Sequence, residues 1–411
     1  MAPTPLIDER AEGGNGRGPL WFGLVFIVGM ASLLALDWTA RFDRYEWETR
    51  LVRRPPRPVS EAVARPAFTT NQVPQSRGGD LTALVGLRRA AAPFEEVREA
   101  GVLIRDQFGY PNRAHPADTR PWAVVVGDSF MATGTHDQLF ASQLAEHSNH
   151  FIYNMAVMGH GPFTSVERFL DDQRFQDHPP RYLIWGFAER EVTGHFFQRF
   201  ERRMAGRAAA DPEDPMAPDP GPVGITFNWD ELSPRRLQNS LPDTSLLAQV
   251  GQWSWTRIRY LLFRQLHPWV TAAEPDVLGK PTLFFTYHIE TLAWPPEKRD
   301  PITVSGVIER LQRQLDQRDI QLIVVLIPEK EQVYRNWIPS HVKAELGPFH
   351  PSPLIALAHE LQEAGIHVVN LLPVFEAATA RGERVYWRDD THWNPAGVGL
   401  AVEECLDRMT R

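Results

Sequence analysis

Short strand-like segments, one of them a continuous apolar run at 322–327, alternate with helix-like segments, and this constrains the chain more than any other feature. Residues 122–126 (WAVVV), 151–155 (FIYNM), 181–185 (RYLIW), 322–327 (LIVVLI) and 367–371 (HVVNL) read as strands. Apolar runs without polar alternation belong to strands covered on both faces. Gln138–His147, Gly306–Gln317, Pro353–Glu363 and Ala396–Arg408 read as helices. In the second of these, Ile308, Leu311 and Leu315 recur at helical spacing and share one face. Strands and helices in this order predict an α/β fold, with a mainly parallel sheet between two helical layers.

The N-terminal region obeys a different rule. Residues 19–36 (PLWFGLVFIVGMASLLAL) carry no charge, and Trp21 and Trp38 flank them. Roughly 20 apolar residues cross a bilayer core, and tryptophan favours its interfaces. The run is long for a signal-peptide core, and Asp37-Trp38-Thr39-Ala40 makes a poor cleavage site. The reading is therefore an N-terminal tail (1–18), a transmembrane anchor (19–38), an Arg- and Pro-rich tether (39–95) and one large domain (96–411). That domain carries an insertion around 200–280, with a low-complexity loop at 205–223 and a helix around Ser245–Leu266. Arg41, Arg44, Arg50, Arg53 and Arg54 follow the apolar run, against Arg10 and Arg17 before it. Taken literally, the positive-inside rule places the large domain in the cytoplasm.

Charge and cysteine content exclude several classes of function. The net charge is -8, from 43 Lys+Arg against 51 Asp+Glu, which disfavours a broad nucleic-acid surface. Cys405 is the single cysteine, so neither an intrachain disulfide nor a Cys-based zinc site can form. His288 and Glu290 alternate as on a strand face with no third ligand close in sequence, so no metal site is assigned. No cofactor is expected either.

Two short motifs could carry chemistry. The apolar run at 124–126 ends in Gly127-Asp128-Ser129-Phe130. Open α/β sheets bind ligands at the carboxyl ends of their strands. A serine on such a turn is exposed beside backbone N–H groups able to hold an oxyanion. Near the C-terminus stands Arg388-Asp389-Asp390-Thr391-His392-Trp393-Asn394-Pro395-Ala396-Gly397. A carboxylate just ahead of a histidine can fix its tautomer and stabilise the imidazolium, as the base of a serine nucleophile requires. Each motif alone also fits a turn with a capping aspartate.

Taken together, the two motifs resemble the SGNH/GDSL hydrolase superfamily. The spelling is similar to the SGNH-like domains of alginate O-acetyltransferases and related exopolysaccharide-modifying proteins. Three further stretches carry the resemblance: Asp106–Asn112 (DQFGYPN), Asn154–Gly161 (NMAVMGHG), and Pro328-Glu329-Lys330 with Tyr334. The likeness runs from about residue 100 to 408, without much of 195–280. It implies an SGNH-like three-layer α/β/α fold. It also implies Ser129 as nucleophile, His392 as general base and Asp390 as its orienting carboxylate, with Asp389 the alternative because the wider superfamily often places the aspartate three residues before the histidine. The N–H groups of Ser129 and Gly159 would form the oxyanion hole. The asparagine that usually completes it is missing, since the corresponding strand end reads Trp185-Gly186-Phe187-Ala188-Glu189-Arg190-Glu191. Arg190 and His160 are candidate substrate contacts, and Lys330 matches a structural position. The order of the motif blocks is the ordinary superfamily order, opposite to that of the alginate proteins, so the chain reads as a relative of that group.

The resemblance further implies O-acetyl transfer or ester hydrolysis on an extracytoplasmic polysaccharide. The chain would be a single-pass inner-membrane protein with its domain in the periplasm, against the arginine count. A membrane-bound O-acyltransferase would be the acetyl-supplying partner. The alternative is an inactive polysaccharide-binding or assembly component with the same fold. A lipase-like esterase fits less well, because residues 226–280 are only patchily apolar.

Overall fold

The computed structural model describes residues 32, 68–73, 76–85, 94–113, 120–158, 161–192, 197–198, 200–202, 266, 269–273, 281–295, 298 and 301–410. The strands are β1 (Phe68–Val73), β2 (Ser76–Arg77), β3 (Val97–Arg98), β4 (Gly101–Asp106), β5 (Ala123–Gly127), β6 (Ile152–Asn154), β7 (Tyr182–Ala188), β8 (Val270–Ala272), β9 (Leu283–Phe285), β10 (Gln321–Ile327) and β11 (His367–Asn370). The helices are α1 (Asp80–Val85), α2 (Ser129–Ala132), α3 (Phe140–Ser148), α4 (Phe163–Asp171), α5 (Gln173–Asp177) and α6 (Thr286–Leu292). They continue with α7 (Pro301–Asp316), α8 (Lys330–Val333), α9 (Ser340–Leu346), α10 (Pro353–Glu363), α11 (Leu372–Ala380) and α12 (Pro395–Thr410).

The apolar runs form one five-stranded sheet in the order β11-β10-β7-β5-β6. Every pairing in it is parallel. Side chains alternate across each strand, which splits the continuous apolar runs between two cores. Ala123, Val125, Ile184, Ile323 and Val325 face α3, α11 and α12. Val124, Val126, Leu183, Trp185 and Val324 face α4, α7 and α10. This is the expected α/β/α layering. Its strand order reverses beside β5, the kind of switch point where doubly wound sheets bind ligands.

Chain and sheet meet closely at that point. Gly127 adopts φ +152°, and a Cβ there would lie 2.3 Å from the Gly186 carbonyl oxygen of β7 and 2.7 Å from Met131 Cγ. Gly127→Ala is therefore expected to destabilise the domain by about 1–3 kcal/mol, the usual cost of overpacking. Urea unfolding measures this, and an unchanged midpoint would show that the strands part freely.

Two expectations change. Part of the stretch expected to be a tether folds: β1 pairs antiparallel with β4 from Phe68↔Asp106 to Val73↔Gly101, and α1 follows. The domain thus begins well before residue 96. The second change concerns His288 and Glu290, which lie on helix α6 rather than on a strand, His288 buried and Glu290 exposed. Among the described residues, no helix is long and apolar enough to cross a membrane. The apolar run 19–36 lies outside them apart from Ser32, as do the loop at 205–223 and the expected helix of the insertion apart from Leu266.

Candidate active site

Ser129 opens α2 immediately after β5. Asp128 caps this turn: its Oδ1 accepts the Phe130 N–H at 2.9 Å and its Oδ2 accepts the Ala188 N–H at 3.3 Å. The first bond shapes the turn, and the second ties it to the end of β7. Ser165 Oγ on α4 accepts the Gly127 N–H at 2.8 Å. The loop after β6 is fixed to the same turn, because Val157 N–H donates to the Gly127 carbonyl at 3.3 Å. Asn154 closes that loop, donating from Nδ2 to the Met131 carbonyl at 3.0 Å and accepting the Ala156 N–H at 2.9 Å. The Asp106–Asn112 stretch supports it in turn: Asn112 Oδ1 accepts the Asn154 N–H at 2.7 Å, and Asn112 Nδ2 donates to Asp106 Oδ2 at 3.0 Å.

The second motif forms a closed loop over the sheet. Tyr386 and Trp393 bridge antiparallel, and Trp387 N–H donates to the His392 carbonyl at 3.2 Å. Asn394 Oδ1 accepts the Gly397 N–H at 3.0 Å, capping α12, whose first residue is proline. Lys330 holds the loop from below. Fully buried, its ammonium donates to the Arg388 and Asp390 carbonyls, both at 2.9 Å. Burial pulls its pKa down to about 8 against the opposing pull of Glu331 and Asp390. Tyr334 fastens the other side, accepting the Val385 and Tyr386 N–H groups at 2.9 and 3.2 Å. The Pro-Glu-Lys…Tyr stretch thus acts on the active-site loop through its backbone.

These supports bring three side chains into line. Ser129 Oγ lies 2.8 Å from His392 Nε2, and His392 Nδ1 lies 2.7 Å from Asp390 Oδ1. Asp390 Oδ1 also accepts the His392 N–H at 3.0 Å, and Arg98 Nη2 reaches Asp390 Oδ2 at 2.9 Å. Burial pushes the Asp390 carboxyl up, but the hydrogen bond and charge of His392, with Arg98 beside it, hold it well below the usual range. Phe130 packs against the imidazole at 4.9 Å between ring centres. Trp393 Nε1 donates to the Phe130 carbonyl at 2.9 Å, joining the serine turn to the histidine loop.

Of the two aspartates, Asp390 meets the imidazole. Asp389 is fully buried and turned away. Its Oδ2 accepts the Gly79 and Glu96 N–H groups at 3.1 and 2.8 Å, and its Oδ1 accepts from Arg98 at 3.2 Å. Sequence reasoning missed the segment it holds. Asp80 Oδ1 accepts the Thr391 N–H at 2.9 Å, Asp80 Oδ2 lies 3.8 Å from His392 Nδ1, and Arg98 pairs with both aspartates. Nothing local marks Asp80 or Arg98, since their partners lie about three hundred positions away in sequence. Gly159 and His160 lie outside the described residues.

Arg190 stands at the end of β7 with its guanidinium 5.4 Å from the Phe130 ring. Its Nε lies 3.4 Å from Glu329 Oε1, and its Nη1 lies 3.3 Å from His288 Nε2. His288 Nδ1 in turn faces Glu329 Oε2 at 3.2 Å and Glu331 Oε2 at 3.4 Å. These three buried residues bring one possible ligand atom each within 4.8 Å of one another. An imidazole accepting from Arg190 at Nε2 carries its proton on Nδ1, between the two carboxylates. The cluster sets Glu329 and His288 against the guanidinium of Arg190 and anchors it.

The neighbouring Glu191 carboxyl is pushed up to about 7 by burial and by the charges of Asp128 and Glu329. Its folded value lies above its ordinary 4.5, so the folded state holds the proton more firmly. Its contribution to stability is present below about pH 4.5 and is lost as pH rises through about 7. Glu191→Gln is expected to raise Tm near pH 8 and to change it little near pH 4. Equal Tm values for the two proteins near pH 8 would refute this.

A serine on the turn after the strand at the switch point of a doubly wound parallel sheet, facing His and Asp from a C-terminal loop, is the arrangement of the SGNH hydrolase fold. The chain belongs to the family described as SGNH hydrolase-like domain, acetyltransferase AlgX, whose model matches residues 50–189 and 277–410. The block order that set this chain apart from the alginate proteins does not place it outside that family.

Curated relatives agree at modest identity. The chain is 26% identical over 168 residues to the probable alginate O-acetylase AlgJ of Pseudomonas putida, covering 40% of each. It is 28% identical over 158 residues to the protein of that name from Pseudomonas aeruginosa, covering 38% of this chain and 37% of the relative. Against the Pseudomonas syringae pv. tomato protein it is 23% identical over 180 residues, covering 44% and 42%. The chain thus spans about two fifths of the length of these relatives.

Proposed function

We propose that this chain is a serine O-acetyltransferase acting on a polysaccharide through an acetyl-enzyme on Ser129. The observation that carries the reading is the continuous line from Ser129 Oγ through His392 to Asp390, at 2.8 and 2.7 Å. His392 Nε2 takes the proton as Ser129 Oγ attacks the acyl carbonyl. Asp390 keeps the other ring proton on Nδ1 and stabilises the imidazolium. The N–H groups of Ser129 and Gly159, the pair that the family resemblance implies, would stabilise the developing oxyanion. The imidazolium then protonates the leaving group as the tetrahedral intermediate collapses. In the second half, His392 removes a proton from a sugar hydroxyl, which attacks the acetyl carbon and frees Ser129. Water in place of the sugar gives hydrolysis through the same steps, so the acceptor site decides the product.

The printed names of the curated relatives support acetyl transfer to an alginate-like polysaccharide as the class of reaction. The anchor at 19–38, a periplasmic domain and an acetyl-supplying membrane-bound O-acyltransferase belong to the same proposal. Trapping tests the chemistry. Brief incubation with p-nitrophenyl acetate is expected to add one acetyl group to the peptide containing Ser129, and none in Ser129→Ala. Acetylation elsewhere, or at no residue, would sink the mechanism. Fusion of the C-terminus to a reporter active only in the periplasm tests the orientation, and a silent reporter would reverse it.

A further inference from the structure

The mechanism uses one carboxylate, Asp390, yet the fold brings a second to the same imidazole nitrogen. Asp80 opens α1, and its Oδ2 lies 3.8 Å from His392 Nδ1. Both of its oxygens accept from one residue. Oδ1 takes the Thr391 N–H at 2.9 Å, and Oδ2 takes the Thr391 hydroxyl at 2.5 Å. Accepting at both oxygens is the pattern of an ionised carboxylate. The Asp80 N–H donates to Asp390 Oδ2 at 3.3 Å, which fixes the spacing of the two acids. Thr391 lies between Asp390 and His392 in sequence, so Asp80 grips the catalytic loop at its midpoint.

The surrounding charges give this second acid something to do. Arg98, from β3, binds Asp389 and Asp390 at 3.2 and 2.9 Å. The buried ammonium of Lys330, from α8, sits under the same pair, bonded to the Arg388 and Asp390 carbonyls. Two cations therefore offset these two aspartates. Asp128 on the serine turn also bears on His392, and Arg190 opposes it. Among these groups Asp80 is the charge in excess, and it faces the imidazolium that forms when Ser129 gives up its proton. An opposite charge within about 4–6 Å favours the charged form of a ring. The Asp80 side chain is 43% exposed, against 15% for Asp390. Water screens part of its charge, which sets the expected effect at the low end.

We propose that Asp80 is a positioning residue for the catalytic imidazole, a second carboxylate that holds the His392 loop through Thr391 and stabilises the imidazolium while Arg98 draws on the charge of Asp390. The proposal rests on the reading of His392 as general base to Ser129. It adds that the triad reaches full strength only with the segment 76–98 seated against the C-terminal loop.

The pH titration of the His392 ring tests this without any chemistry at Ser129. It is followed by NMR in the full-length chain and assigned by its loss in His392→Gln. Asp80→Asn is expected to lower the titration midpoint by about one pH unit, because a neutral amide no longer favours the imidazolium. Arg98→Gln is expected to raise it, because a cation beside the triad is gone. Hydrolysis of p-nitrophenyl acetate reads the same coupling as a rate. In Asp80→Asn the acid limb of kcat/KM is expected to move to lower pH by the same amount, and its plateau to fall about tenfold. A residue that merely propped the loop would lower the plateau and leave limb and midpoint in place. Should the asparagine variant fail to fold, Asp80→Ser keeps an oxygen at the start of α1 without the charge and serves for the same measurement. Two unfolded variants would make Asp80 a structural residue and overturn the proposal. A midpoint unmoved by Asp80→Asn, or moved the same way by both the Asp80 and Arg98 variants, overturns it too. An Asp80-dependent titration in a wild type without esterase activity would remove the acyl-transfer reading and keep the charge coupling. An active wild type whose titration ignores Asp80 would do the reverse.

Discussion

Ser129→Ala and His392→Ala are each expected to lower the rate of p-nitrophenyl acetate hydrolysis by about 10⁴-fold or more, to near the rate of the double variant. The non-additivity follows from the geometry. With Ser129 Oγ and His392 Nε2 sharing one hydrogen bond at 2.8 Å, neither group does its work without the other. Both substitutions trim a partly exposed side chain at the end of the framework, so the fold, followed by Tm, is expected to persist. A folded wild type no faster than its variants would remove the catalytic reading. The chain would then stand as a polysaccharide-binding or assembly component built on the same fold.

Asp390→Asn is expected to lower kcat by about 10⁴-fold, as the amide favours the wrong imidazole tautomer. Asp389→Asn is expected to act on stability instead. Asp389 accepts two backbone N–H groups and an arginine while fully buried, so an amide there sets a donor against donors. Steady-state kinetics and thermal unfolding of the two variants separate these roles. If Asp389→Asn proved inactive at wild-type Tm and Asp390→Asn merely unstable, the assignment would reverse. The pair is informative because the residues are adjacent and chemically identical, and only their partners differ.

Much of the sheet could be read directly. Residues 123–126, 182–185 and 322–327 are buried on both faces, so burial itself wrote them as apolar stretches. Pro353–Glu363 was legible to the residue because Ser352 caps it and proline occupies its first turn. Residues 68–98 were not legible. Their prolines, arginines and glycines resemble linker composition, and what folds them is bonding to Asp389, Asp390 and Thr391 from the far end of the chain. Composition carries no trace of a partner so distant. The same limit hid the neighbours of His288, because Glu329 and Glu331 arrive from the start of α8, after β10.

The sequence by itself determined the layered α/β class, the serine turn, the histidine loop and the residue types able to carry acyl transfer. These are local properties, written as periodicity and short motifs. Only the tertiary structure decided which aspartate faces the imidazole, and that Arg98 and Asp80 join it there. Each of these depends on side-chain direction and on contacts between distant segments. A motif fixes which groups are available, whereas the packing of the whole chain fixes where they point.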